Sequence, residues 1–180
     1  MKKIDLNCDM GESFGAWTMG LDAEAIRHVT SANIACGFHA GDPHVMHRTV
    51  MLAKDNGVGV GAHPGYPDLM GFGRRNMDCN PEEIRDYIIY QVGAMKGFCA
   101  ALGVPIQHVK PHGSLYNTSV GNEVLIRAIT GAIAAVDRSL IYLALGGAQA
   151  PLVKRIAKEA GIRVAFEAFP RSEERRVGKE

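Results

Sequence analysis

With 180 residues, 47% of them hydrophobic and 22% charged, the chain has the size and composition of one globular domain with a sizeable core. A formal net charge of +1 supplies no broad field for nucleic acid or an acidic membrane surface. No run approaches the roughly 18 apolar residues of a membrane helix, and M-K-K-I-D-L-N-C-D lacks the apolar stretch of a signal peptide, so a cytoplasmic protein without membrane or nucleic-acid partners is expected.

Short apolar runs bounded by Gly, Pro or Asn predict parallel strands at 3–8, 31–37, 57–62, 106–110, 140–145 and 162–167. Helices are predicted between them. The first, 22–29, opens on Asp22 as a cap, and 43–56 opens on Asp42-Pro43 and ends at Asn56-Gly57. The third, 81–102, opens on Asn80-Pro81-Glu82-Glu83, ends at Gly103, and carries Ile84, Ile88, Val92, Met95 and Cys99 at the helical period. Helices at 121–136 and 149–160 complete the set. Repeating βα units imply a parallel sheet with right-handed crossovers. Six strands fall short of the eight or so of a closed barrel. Residues 170–180 are almost devoid of apolar side chains and predict a disordered polar tail after a single domain over 1–169. Either the sheet is open or the chain stops before its natural end. Cys8, Cys36, Cys79 and Cys99 lack Cys-x-x-Cys spacing and are expected to be reduced thiols.

Several of these strands end in polar, glycine-flanked groups. In a barrel such ends ring one mouth. Asp5, Asn7 and Asp9 share one face of the first strand by its period of two, with Glu12 just beyond. An inward row of that kind needs partners, because a buried unpaired carboxylate is very costly. His39 sits between Gly37 and Gly41, and Asp42 is expected as a helix cap with His44 behind it. His63 ends the third strand in the tight A-H-P-G turn. Lys110 and His112 flank Pro111 and face one side. The lysine requires an anion, whether Asp9, Glu12 or a substrate carboxylate. Tyr116 and Asn117 follow in the next loop. Arg74 and Arg75 could clamp a carboxylate or phosphate. Gly146-Gly147 is expected to be a tight turn. No G-x-x-x-x-G-K-[ST] occurs, so any ATP is not held by a P-loop. Phe14, Trp17 and Met19 are expected to pack in the core rather than form a docking patch.

Four segments in register, D-L-N-C-D-M-G-E-S-F-G (5–15), S-A-N-I-A-C-G-F-H-A-G-D-P (31–43), G-A-H-P-G-Y-P-D-L-M-G-F-G-R-R (61–75) and K-P-H-G-S-L-Y-N (110–117), resemble the family of 5-oxoprolinase A subunits, the lactam-utilisation proteins. The likeness runs from residue 2 to about 169. It implies an α/β fold, an irregular (β/α) barrel like that of the glycoside hydrolase and polysaccharide deacetylase superfamily, with the C-terminal part missing. It implies ATP-dependent opening of the 5-oxoproline lactam to glutamate, with ATP as co-substrate and two further subunits as partners. Asp9, Glu12, His63, Lys110 and His112 are then the expected catalytic groups. Asn7, His39, Arg74, Tyr116 and Asn117 are the expected substrate-binding groups. A divalent metal on Asp9, His39 and His63 would instead suit a metal-dependent amide hydrolase. A non-catalytic subunit that presents substrate to partners is the third reading.

Overall fold

The computed structural model describes residues 4–169; the predicted tail at 170–180 lies outside them. The chain alternates strand and helix. Strand β1 (Asn7–Met10) leads to α1 (Asp22–Ala25), which tightens into a 3-10 turn at Ile26–His28. Then come β2 (Ser31–Ala35), α2 (Pro43–Asp55), β3 (Gly59–His63), α3 (Pro81–Leu102) and β4 (Ile106–Val109). Two helices follow, α4 (Gly113–Thr118) and α5 (Glu123–Val136), before β5 (Ile141–Leu145), α6 (Ala150–Ala160) and β6 (Arg163–Glu167). The strands are all parallel and lie in chain order, β1-β2-β3-β4-β5-β6. This is a six-stranded half-barrel of the α/β class. No described helix is long and apolar enough to cross a membrane.

The caps explain why the helices start where they do. Asp42 Oδ1 accepts from the amides of His44 and Val45 at 2.8 and 2.9 Å, ahead of Pro43 at the first helical position. Asn80 and Glu83 form a reciprocal capping box at the start of α3, and Gly103 ends it in the left-handed conformation. Asn122 caps α5 through a 3.2 Å bond from Leu125 N.

The apolar core lies between the outer face of the sheet and the helices. Ile34, Val60, Val109 and Tyr142 meet Ile88, Val92, Met95, Ile129 and Ile133 there. By strand alternation the inner face carries Asn7, Asp9, Asn33, His108 and Glu167. This half-barrel is therefore apolar outside and mostly polar inside, where β5 adds Ile141 and Leu143. Gly61 is required on that inner face: a Cβ there would meet the His108 ring at 2.1 Å, so only glycine lets His108 cross β3 to reach Asn33.

Four expectations are corrected. The first strand runs over 7–10, not from residue 4 on as predicted (residue 3 lies outside the described residues), because Ile4 and Leu6 are 89% and 56% exposed and take no part in the core. Asp22 is the first residue of α1, not its cap; its carboxylate accepts from Gly11 N at 2.8 Å instead. Helix α4 was not foreseen, since it has six residues and no side-chain cap. Phe14, Trp17 and Met19 are not in the core; Trp17 and Met19 are 73% and 47% exposed, and Trp17 forms a small antiparallel bridge with half-buried Phe14.

Ile88→Ala should cost roughly 2–5 kcal/mol in denaturant unfolding, since Ile88 is fully buried under α3. The exposed neighbour Arg85, changed to Ala, should stay within about 0.5 kcal/mol of the parent.

Candidate active site

The strand ends bring their polar groups to one mouth, beside an open cavity of about 1030 Å³ lined by Asp9, His63, Arg74, Lys110, His112 and Tyr116, among others. Lys110 leaves β4 and is buried at 6% exposure. Its Nζ donates to Asp9 Oδ1 at 3.0 Å and lies 3.4 Å from Glu167 Oε1. Of the anions considered for it, Asp9 is met and Glu12 is not. Glu167, from β6, is a partner the sequence reading missed. Its Oε1 also accepts from the Tyr116 hydroxyl at 2.6 Å, and its Oε2 accepts from Asn7 Nδ2 at 3.3 Å. Its signal was a lone carboxylate in the apolar run A-F-E-A-F. Asn33, also missed, ties the floor together. Its Nδ2 donates to Asn7 Oδ1 and Asp9 Oδ1 at 2.7 and 2.8 Å, and its Oδ1 lies 2.7 Å from His108 Nε2.

The histidines form a second layer. His39 and His112 stack face to face, with centroids 3.7 Å apart and planes 2° from parallel. His63 stands edge-on to both. His63 Nδ1 lies 2.7 Å from the Lys110 carbonyl, and His112 Nε2 lies 2.8 Å from the Phe72 carbonyl. Their other nitrogens are 3.0 Å apart. Glu12 Oε1 lies 3.3 Å from His39 Nε2 and 3.6 Å from His112 Nδ1. Glu12, His39, His63 and His112 each offer one ligand atom within 4.8 Å of the others, a cluster able to hold a metal ion. Asp9 is not in that group, although its Oδ2 lies 3.4 Å from His63 Nε2.

The loop after β3 holds this layer in place. Phe72 and Gly73 both have left-handed backbones, with φ of 54° and 63°. A Cβ on Gly73 would come within 2.7 Å of His39 and 2.8 Å of His112. Asp68, buried beneath, accepts from Gly71 N and from Arg75 Nε at 2.9 and 2.8 Å. Arg75 is thus a loop pin. Arg74 is exposed, lies over the Phe72 ring and lines the cavity. Asn117 lines it too, and so do Gly146 and Gly147. Asn7, Glu12 and His39 do not line it. Asp5 turns away to Thr30 and Ser31, and His44 is exposed on α2.

The two carboxylates are tuned apart. Burial would raise both. At Asp9 the neighbouring His63 and Lys110 override it and hold the carboxyl well below the usual range. At Glu12 burial prevails over His63 and His112, and its pKa is raised. Burial pushes His112 down to about 3, helped by His39 and His63, and His39 likewise goes well below its ordinary value. The Tyr116 hydroxyl is pushed up by burial and by its bond to Glu167.

A model of the LamB/YcsF family matches residues 4–178, past the point near 169 where the motif likeness ends. The A subunit of 5-oxoprolinase from Pyrococcus abyssi is 58% identical over 167 residues, which are 93% of this chain and 64% of that protein. The protein of the same name from Natranaerobius thermophilus is 57% identical over 169 residues, 94% of this chain and 65% of its own. The crystal structure of the lactam utilization protein from Thermus thermophilus superposes with a TM-score of 0.89 at 48% identity, over 94% of this chain and 67% of that one. The chain thus spans just under two thirds of the length of these curated relatives.

His108 supplies a test of the polar interior. Burial lowers its pKa to about 4 from an ordinary 6.5. The unfolded chain therefore binds the extra proton first as pH falls. Stability from keeping this ring neutral is fully present above about pH 6.5 and is lost toward pH 4. A displacement of that size corresponds to roughly 3 kcal/mol. The unfolding free energy of the parent should fall across this window more steeply than that of His108→Gln, measured by urea titration at each pH.

Proposed function

The chain belongs to the LamB/YcsF family, and from that premise we propose that it acts within a 5-oxoprolinase, opening the 5-oxo-L-proline lactam to L-glutamate with ATP and two further subunits. The observation that carries this reading is the convergence of Asp9, Glu12, His63, Lys110 and His112 on one mouth beside a cavity large enough for a small cyclic amide. The names of the relatives supply the lactam.

An unactivated lactam resists water. Phosphoryl transfer from ATP to the amide oxygen would give an imidate-like carbon. Water then adds to that carbon and the C–N bond breaks as nitrogen takes a proton. A second water cleaves the acyl phosphate to glutamate and phosphate. Among this chain's groups, Glu12 is the better general base, because burial raises its pKa above the ordinary carboxyl value, whereas Asp9 stays ionised against Lys110. Lys110 holds the developing negative charge, and the His63–His112 pair serves as acid or orienting groups. In the resting site Lys110 is paired with Asp9 and Glu167. The substrate carboxylate therefore falls to Arg74, with Tyr116 and Asn117 beside it and Asn7 and His39 supporting from below. The free cysteines support a reducing, cytoplasmic setting. The cluster of Glu12 with three histidines favours one alternative, a metal-dependent amide hydrolase.

The chain, and in parallel the longer Pyrococcus furiosus relative, is combined with that relative's partner subunits, 5-oxoproline and ATP, and glutamate is followed. Release should require ATP. Equal release without ATP would favour the amide hydrolase. Tight 5-oxoproline binding without turnover would favour a substrate-presenting role. Glu12→Gln should lower kcat about 100- to 10,000-fold, as loss of a general base does. Its melting temperature should stay near the parent's.

A further inference from the structure

The carbonyl partners of His63 and His112 fix their tautomers. A carbonyl oxygen only accepts, so the hydrogen sits on His63 Nδ1, facing Lys110 O at 2.7 Å, and on His112 Nε2, facing Phe72 O at 2.8 Å. In the neutral rings the remaining nitrogens, His63 Nε2 and His112 Nδ1, both carry lone pairs. These point at each other across 3.0 Å, in side chains only 1% and 5% exposed. Two buried lone pairs that close repel one another. A positive charge between them turns the repulsion into attraction.

Two carboxylates flank this pair. Asp9 Oδ2 is 3.4 Å from His63 Nε2, but that carboxylate is already paired with Lys110 at 3.0 Å. Glu12 Oε1 is 3.6 Å from His112 Nδ1. Two donor atoms, each about 2.0–2.1 Å from one zinc ion, lie roughly 3.3 Å apart at a tetrahedral angle. Of the three ligand pairs, those at 3.0 and 3.6 Å bracket that spacing, and all three lie within 4.8 Å. His39 plays a different part. Its Nδ1 is buried without a partner among the described residues, and its Nε2 faces Glu12 Oε1 at 3.3 Å. A hydrogen on Nδ1 would be an orphaned buried donor, which proteins avoid more strictly than an orphaned acceptor. The hydrogen therefore sits on Nε2 and is donated to Glu12. That is how an outer residue orients a carboxylate ligand.

We infer that His63 Nε2, His112 Nδ1 and Glu12 Oε1 bind a divalent transition-metal ion of the zinc or cobalt type, with His39 as a positioning residue and Glu12 Oε2 left for the base role. Two imidazoles and one carboxylate favour such ions over magnesium, which prefers oxygen donors and water. The ion is thus distinct from any magnesium that accompanies ATP. Three protein ligands leave a coordination position free for water or a substrate oxygen.

The test needs no lactam, nucleotide or partner protein, so its outcome is independent of the 5-oxoprolinase reading. The chain is stripped with chelator, freed of it and titrated with Co²⁺. One equivalent should bind and give the visible absorption of nitrogen- and oxygen-ligated cobalt. His63→Ala and His112→Ala should each lose that equivalent. Glu12→Gln should shift the bands and weaken binding. His39→Ala should keep the equivalent with affinity lowered about 10- to 100-fold. His63→Leu and His112→Leu are run alongside, and circular dichroism selects the folded variants. Failure of the parent to take up one equivalent of Co²⁺ or Zn²⁺ would overturn the proposal and leave a shared proton as the charge between the rings. An equivalent that survives in folded His63 and His112 variants would overturn it too.

Discussion

Lys110 brings one ammonium between carboxylates from the two ends of the sheet. Asp9 comes from β1 and Glu167 from β6, strands that share no backbone pairing. Burying a charge is tolerable only when it is paired, and removing one partner of a buried pair costs several kcal/mol. The first, fourth and sixth strands are therefore tied at their C-terminal ends by charge, where no backbone ladder ties them. Asn7 adds a neutral link across the same gap through Glu167. The positions of His63 and Tyr116 follow from this tie. Asp9 approaches His63 because Lys110 and Asn33 hold its other oxygen, and the Tyr116 hydroxyl is aimed by Glu167.

The polar interior is a connected network, in which each member limits the freedom of the next. From Asn33 the bonds run to Asn7, Asp9 and His108, and from Asp9 to Lys110 and on to Glu167. Such an interior contributes less to folding than an apolar one would. The apolar work falls to the outer face, where α3 and α5 cover the middle of the sheet. Stability and chemistry are thus divided between the two faces. This division lets the inner face hold Asp9 and Glu12 in opposite ionisation tendencies a few residues apart.

The sequence made the outer face legible and the inner face only partly so. Strands β2 to β6 fell near their predicted places because each is a short apolar run with glycine, proline or asparagine at its ends. Helix α3 matched its predicted limits because the capping box and Gly103 mark both ends chemically. β1 slipped because apolar Ile4 and Leu6 look like strand residues, and only tertiary structure reveals their exposure. Strand-end position picked out His39, His63, Lys110 and His112, which the fold brings together with Asp9 and Glu12. Asn33 and Glu167 were not legible, because a polar residue inside an apolar run declares its partners only once neighbouring strands are in register. Asp68 took Arg75 out of the pair of candidate clamps, a contact within one loop that no periodicity encodes.

The left-handed pair Phe72–Gly73 limits how this chain can change. Left-handed backbone costs roughly 1–2 kcal/mol for a residue with a side chain, and Phe72 bears that strain while its carbonyl receives the His112 hydrogen. At Gly73 a methyl group would collide with both stacked imidazoles. The loop can therefore drift at its exposed tip, around Met70 at 92% exposure, but not at its base. Insertions or loop grafts across 72–73 would move the Phe72 carbonyl and leave the ring of His112 free to turn over. One short loop thus joins two unequal histories: a tip open to variation, and a hinge-like base that any descendant with this histidine stack must keep.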